Sequence, residues 1–243
     1  PEAPEGRWSV GVFKARTGPA SPDFAANRRE MLALVDRLRE LEGRAVAASA
    51  GRSETFERRG QTPPSERVSR LLDPGLPFLR LHTLSNFLVE ESDWDRSVPG
   101  ASLIAGIGYV SGVRCLVWCD DSGIRAGALT PMTVSTVLSL QKIALRQKLP
   151  LVHLVESAGA NLVDFTVENW STGGGMFRNL ALLSAAGIPT VAVLHGPSTA
   201  AGAYMPGLSD YVIGVKRNGM AAVGGAALLK AATGEVADNR ELG

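Results

Sequence analysis

The sequence predicts an α/β fold, with a sheet covered on both faces, and three observations predict it. Apolar runs such as Leu151–Val155 and Thr190–Leu194 are continuous rather than alternating, the pattern of strands buried on both sides. Between such runs lie stretches with apolar residues at helical spacing, clearest in Val134, Val137, Leu138, Gln141 and Leu145. Both runs end in clusters of small residues, Glu156–Asn161 and His195–Tyr204, where a strand turns into a helix and its backbone amides are left uncovered.

With 243 residues, 45% of them hydrophobic, the chain can bury a substantial core. Lysine and arginine number 25 against 24 acidic residues, so no global field favours nucleic acid or an anionic membrane. No apolar stretch is long enough to span a bilayer. The N-terminus lacks a signal-peptide pattern and there are only two cysteines, which predicts a cytoplasmic protein. Cys115 and Cys119 share one face of an expected strand, as packed thiols do, and a zinc ribbon would need more ligands.

Taken in order, residues 1–22 read as an extended arm rich in Pro, Gly and Ala, and residues 23–243 as the domain proper. From Phe24, the spacing of Met31, Val35, Leu38 and Leu41 predicts an amphipathic helix ending near Gly43. Residues 45–61 carry no clear pattern. Pro63 and Pro64 introduce a short helix with Val68, Leu71 and Leu72 on one side, stopped by Pro74–Gly75. Two strand-like runs, from Leu103 and from Val113, meet at Ser111–Gly112 as a hairpin. Pro131 then opens the striped helix, which runs to the basic end Arg146–Lys148. After the strand Leu151–Val155, Gly173–Gly175 read as a flexible segment before a helix over Met176–Ala186. The end at Glu241–Leu242–Gly243 has the look of a truncation.

The small-residue clusters carry the chemistry. Backbone N–H groups at such junctions form a receptor for a developing oxyanion, and side chains there would obstruct a ligand. Ser157 and Ser198 have no identifiable His and Asp partners for a hydrolytic triad. His153 and His195, on or at the end of buried strands, read as packed rather than catalytic. Asp120–Asp121 read as a strand-end turn, and no metal site is expected.

Five ordered blocks, SERVSRLLDPGLPFL, VPGASLIAGIGYVSGV, LVESAGANL, GPSTAAGAYMP and LLKAATGEVADNRELG, then show what the chain is similar to. From Phe24 to Gly243 it resembles the carboxyltransferase β subunits of biotin-dependent acyl-CoA carboxylases, of the methylcrotonyl-CoA and geranyl-CoA type, and within them the N-terminal, acyl-CoA-binding half. The resemblance implies a crotonase-like domain of the ClpP/crotonase superfamily, with repeated β-β-α units. It implies transfer of a carboxyl group from carboxybiotin to a branched or unsaturated acyl-CoA through a thioester enolate. Ala201 and Gly202 would supply the oxyanion hole, and Ala158 and Gly159 further pocket amides. Ser157, Ala160, Asn161, Arg125, Gly127 and Tyr204 would line or bind the substrate, with Arg59 and Lys230 as further candidates for the CoA phosphates, and the glycine segment would close over the acyl-CoA. Biotin would arrive on a partner's carrier domain, ATP would be used only by the partner biotin carboxylase, and the subunits would assemble as dimers to hexamers, with no nucleic acid and no membrane.

Alanine stands where the family's glycines are usual, at Ala126, Ala158 and Ala201. Where φ is positive, each costs roughly a kcal/mol or more; where it is negative, the methyl only narrows the pocket. The departures leave open an active enzyme with altered acyl specificity and a non-catalytic structural subunit. A biotin-linked acyl-CoA decarboxylase subunit is the other alternative.

Overall fold

A computed structural model describes residues 18–160, 166–238 and 241–243. The chain divides into two units, Pro1–Glu40 and Leu41–Gly243. The first contributes the start of α1 (Pro22–Ala50), where Met31, Leu34 and Leu38 are exposed; Leu41, in the second unit, is the buried residue of this helix. Helix α1 does not stop at Gly43 as expected. A lone glycine costs only about 1 kcal/mol in a helix, and the alanine-rich stretch after it restores the propensity. The break comes at Gly51–Arg52, so the unassigned stretch 45–61 is the end of α1 followed by α2 (Ser53–Arg59), which is closed by Gly60 at φ 63°. The expected arm over residues 1–22 lies, up to residue 17, outside the described residues.

Helix α3 (Pro64–Leu71) begins on a proline and buries Arg67 and Val68. The main sheet has the order β1-β2-β3-β4-β5-β7, from β1 (Leu79–Leu81), β2 (Leu103–Val110), β3 (Val113–Asp120), β4 (Leu151–Val155), β5 (Thr190–Leu194) and β7 (Tyr211–Gly214). The first three strands pair antiparallel, with β2 and β3 joined through Ser111–Gly112 as expected; from β3 onward all pairs are parallel. A second sheet of two strands pairs β6 (Pro197–Thr199) with β8 (Met220–Ala222).

Alternation along β3 shows why both faces are covered. Leu116 and Trp118 face a core shared with Val137, Leu140 and Ala144 of α4 (Pro131–Gln147) and with Met176, Leu180 and Leu183 of α5 (Val167–Ala185). Cys115, Val117 and Cys119 face Val68 of α3 on the other side, and both thiols are free. The α4 stripe read from the sequence is the one that packs; Thr130 caps this helix by accepting from the Thr133 amide at 3.3 Å.

Helix α5 corrects the expectation for Gly173–Gly175, which lie inside it rather than in a flexible segment. Thr166 caps its start, accepting from the Asn169 amide at 3.1 Å. At Gly175 a Cβ would come within 3.0 Å of Leu138 Cδ2, so the glycine lets α4 and α5 approach closely. The remaining helices are α6 (Ala201–Gly207) and α7 (Ala226–Thr233). Strand pairs precede α4, α6 and α7, and between β4 and α5 an isolated bridge of Ala160 to Leu129 takes the place of the second strand.

Candidate functional site

Parallel strands deliver their carboxyl ends to one edge, where ligands of such sheets collect. Three loops meet there, following β3, β4 and β5, and Ser157 ties them together. Its hydroxyl donates to the Gly127 carbonyl at 2.7 Å and accepts from the Gly159 amide at 3.2 Å, while its carbonyl accepts from the Thr199 amide at 3.0 Å. The amide of Ala158 donates to the Ala126 carbonyl at 3.1 Å, and the Thr199 hydroxyl to the Ala158 carbonyl at 2.9 Å. Glycine is required where these loops touch: a Cβ on Gly127 would sit 2.4 Å from the Glu156 carbonyl oxygen, and one on Gly159 2.7 Å from that of Thr199.

The loop after β5 behaves differently. Ala200 is held at φ 49°, ψ −119°, a conformation suited to glycine that costs an alanine on the order of 1–3 kcal/mol. Beyond it the amides of Ala203 and Tyr204 both donate to the Ala200 carbonyl at 3.0 Å, but those of Ala201 and Gly202 donate to no described residue. Ala201 lies on the wall of a cavity of about 340 Å³, together with Leu129, Val134, Ala160, Met176 and Phe177. Gly202 is buried behind it, where a Cβ would meet Ser157 Cβ at 2.8 Å.

The residues expected from the sequence therefore separate. Ala201 and Ala160 line the cavity, and Gly202 adds the second uncommitted N–H. The N–H groups of Ala158 and Gly159 are not open, which corrects the expectation of two amide-rich turns: the first turn spends its donors on its neighbours. Ser157 is likewise a fastener of loops, buried and fully engaged, rather than a substrate contact. Gly127, at φ 65°, acts through close packing. Tyr204 is off the cavity wall, its ring packed edge-to-face on Phe177 with centroids 4.7 Å apart. Asn161 lies outside the described residues.

Arg125 pairs with Glu90 and borders a second, polar cavity of about 380 Å³ that Arg52, Asn86 and Arg96 also line. The segment after β3 runs between the two cavities, giving Ile124 and Arg125 to the polar one and Leu129 and Thr130 to the apolar one. Arg59 borders neither but a cleft with Arg58 and Arg217, and Lys230 is exposed on α7.

Of the three substituted glycines, only Ala126 has positive φ, at 54°; Ala158 and Ala201 do not. The methyl groups of Ala158 and Ala201 add no backbone strain, whereas Ala126 carries it.

Behind the loops His153 is packed, as expected, while His195 is half-buried. His153 stacks on Trp118, centroids 3.7 Å apart, and meets Asp120 Oδ2 at 3.0 Å. Asp120 also accepts from the Trp118 indole at 2.9 Å and from the Glu156 amide at 3.2 Å, which makes the strand-end pair a fixed turn. Burial, helped by the Arg67 charge, lowers the His195 pKa to about 4. Burial also raises the Asp121 carboxyl, against hydrogen bonds from Ser49 and Gly123. Among the described residues no cluster suited to a metal ion is present. Sequence reasoning missed the strained Ala200, which nothing in its neighbourhood flags, and the α4 and α5 residues that wall the cavity.

Comparison with known proteins decides the family. The carboxyl transferase domain family matches residues 56–243. The chain belongs to the carboxyl transferase family. It is 41% identical over 231 residues to the biotin-dependent 3-methylcrotonyl-coenzyme A carboxylase beta1 subunit of Mycobacterium tuberculosis, covering 92% of this chain and 41% of that protein. The probable mitochondrial methylcrotonoyl-CoA carboxylase beta chain of Drosophila melanogaster is 36% identical, with 96% and 40% covered. The beta subunit of Pseudomonas aeruginosa geranyl-CoA carboxylase superposes with a TM-score of 0.82 at 43% identity, over 95% of this chain and 42% of that one. The transcarboxylase 12S hexamer superposes with a TM-score of 0.76 at 25% identity, over 88% and 41%. The fold is thus the crotonase-like α/β fold of carboxyltransferase β subunits, and the chain spans about two fifths of the length of these carboxyl transferase relatives.

Proposed function

We propose that the full-length subunit containing this chain is the carboxyltransferase component of a biotin-dependent acyl-CoA carboxylase, acting on a branched or unsaturated acyl-CoA. The observation that carries the reading is the pair of uncommitted amides at Ala201 and Gly202, one on the wall of an apolar cavity. Removing a proton from an acyl thioester places negative charge on the thioester oxygen. Two preorganised N–H donors stabilise that charge in a site from which apolar walls exclude water. The acyl chain enters the cavity between α4 and α5. The CoA phosphates lie toward Arg52, Arg96 and Arg125, where guanidinium groups suit phosphate oxygens.

Biotin on a partner's carrier would, when bound, provide the carboxyl group and the base for the substrate proton, while this chain's own part is to hold the thioester oxygen at Ala201 and Gly202. The described residues fit the thioester rather than the biotin, because the cavity at Ala201 is apolar; the biotin site is placed in the part of the subunit that corresponds to the rest of the relatives' length. In this reading ATP is used only by the partner biotin carboxylase, which charges the carrier. The subunits form dimers that stack to hexamers, in the cytoplasm, where the free Cys115 and Cys119 stay reduced. The negative φ at Ala158 and Ala201 favours the active reading over the non-catalytic one, since the loops need no distortion to hold these methyl groups.

The test is fixation of labelled bicarbonate into an acid-stable product by the full-length subunit with its biotin carboxylase and carrier, over a panel of acyl-CoAs. Saturable incorporation is expected. Binding of acyl-CoA with no incorporation would favour a structural subunit, and transfer only from a carboxylated acyl-CoA to biotin would favour the decarboxylase.

A further inference from the structure

We infer that the buried ion pair of Arg67 with Glu156 positions the open amides of Ala201 and Gly202. The inference rests on the carboxyltransferase reading. Arg67, on α3, and Glu156, the residue after β4, have side chains 1% and 4% exposed. Gln61 Nε2 donates to Glu156 Oε1 at 3.0 Å, and Arg67 Nε donates to the Thr62 carbonyl at 2.6 Å. The carboxylate is thus gripped from two sides, and a carboxylate so placed has little freedom to move.

Glu156 and Ser157 are adjacent and reach in different directions. Ser157 reaches the three catalytic-edge loops, whereas the Glu156 carboxylate meets α3 and the start of the loop after β5: a Cβ on Gly196 would lie 2.5 Å from Glu156 Cδ and 2.6 Å from Gln61 Nε2. The two residues together fix both ends of the segment 196–202. Gly196 rests on the carboxylate, Thr199 donates to the Ser157 carbonyl at 3.0 Å, and Gly202 packs on the Ser157 Cβ. A shift of Glu156 by a few tenths of an ångström moves the support of the amides at its far end.

Stability alone does not explain the pair. Two charges taken out of water lose solvation that their attraction only partly returns, and well-packed apolar residues of the same size often do as well or better. Here Arg67 Nη1 and Gln61 Oε1 find no hydrogen-bond partner among the described residues, and Arg67 Nη2 and Glu156 Oε2 meet as an ion pair without hydrogen-bond geometry, which adds to the cost of burial. An ion pair offers what an apolar pair lacks, one direction and one distance. Neither residue is expected to touch the substrate; both act through Ser157 and Gly196.

The experiment compares the full-length subunit with its Arg67→Met/Glu156→Met double variant, which removes both charges and keeps the volume, and with Arg67→Lys, which keeps the charge and loses the planar fork. The double variant is expected to fold and to hold KM for acyl-CoA within about threefold, while kcat falls by roughly tenfold or more, the signature of misplaced transition-state donors. Arg67→Lys should fall between it and the wild type. Amide hydrogen exchange over 196–204 should quicken in the double variant while the β2–β3 hairpin is unchanged. A folded double variant with wild-type kcat and unchanged exchange would overturn the inference, and if it fails to fold, wild-type kcat in Arg67→Lys does so. Absence of carboxyl transfer in the wild type would instead overturn the proposed function, and the exchange measurement would still decide the positioning role.

Discussion

The turns after β4 and β5 look alike in sequence, each a run of small residues leaving a buried strand, yet they differ in where their amides go. At Ala158 and Gly159 the N–H groups are used within the protein, on the Ala126 carbonyl and the Ser157 hydroxyl; at Ala201 and Gly202 they donate to no described residue. One turn is a brace and the other, in the proposed function, a receptor. Small residues at the first allow loops to approach; at the second Gly202 does the same against Ser157, while Ala201 lies on the cavity wall. The lesson is that a glycine-rich strand end is ambiguous until its donors are accounted for one by one.

The sharpest way to break this contrast is Gly202→Ala. Its methyl would be forced against Ser157 Cβ at 2.8 Å and would displace the open amides. Loss of about 10²–10³ in kcat is expected, with a modest change in KM, read from acyl-CoA carboxylation by the full-length subunit. The matching change in the brace, Gly159→Ala, meets the Thr199 carbonyl oxygen at 2.7 Å from a residue at φ +83°. It is expected to lower unfolding stability by about 1–3 kcal/mol, measured by urea denaturation, because strain and a close contact add. Gly173→Leu tests the cavity rather than the turns. Gly173 borders it and a Cβ there meets nothing within 4 Å, so the fold should hold while KM rises severalfold for long acyl chains and little for short ones.

The smallest effect concerns pH. His195, at the start of the receptor loop, has its pKa lowered from 6.5 to about 4 by burial and by Arg67. The unfolded chain then binds more protons than the native one between those values, so stability rises with pH through that window and is fully present above 6.5. His195→Gln should flatten this slope in melting curves taken from pH 4 to 7, leaving stability near neutrality little changed.

Much of the fold was legible because its elements advertise themselves locally. The β2–β3 hairpin, α4 and the strands β4 and β5 each carry a pattern whose period matches the structure. Gly43 and Gly173–Gly175 misled because a glycine marks a break only where its neighbours also disfavour helix; around Gly43 alanines carry the helix on, and Gly175 stays in α5 because Leu138 needs the room. Ala201 and Gly202, whose amides donate to no described residue, were singled out through the family resemblance. The Arg67–Glu156 pair was not, since its members are far apart in sequence and an arginine in an amphipathic helix reads as surface. Nor was the conformation of Ala200, as φ is a property of the folded chain.

The Ser157 fastener also bears on how the molecule comes apart. It joins Gly127, 30 residues earlier, to its own turn, and the neighbouring Thr199–Ala158 bond spans 41 residues, so both links are long-range contacts that tie together the loops after β3, β4 and β5. Such loop-to-loop contacts are expected to form after the folding barrier is crossed. Ser157→Ala should therefore leave the refolding rate nearly untouched and appear as faster unfolding, which would make the carboxyl-end edge of the sheet the place where kinetic persistence of the native state is set.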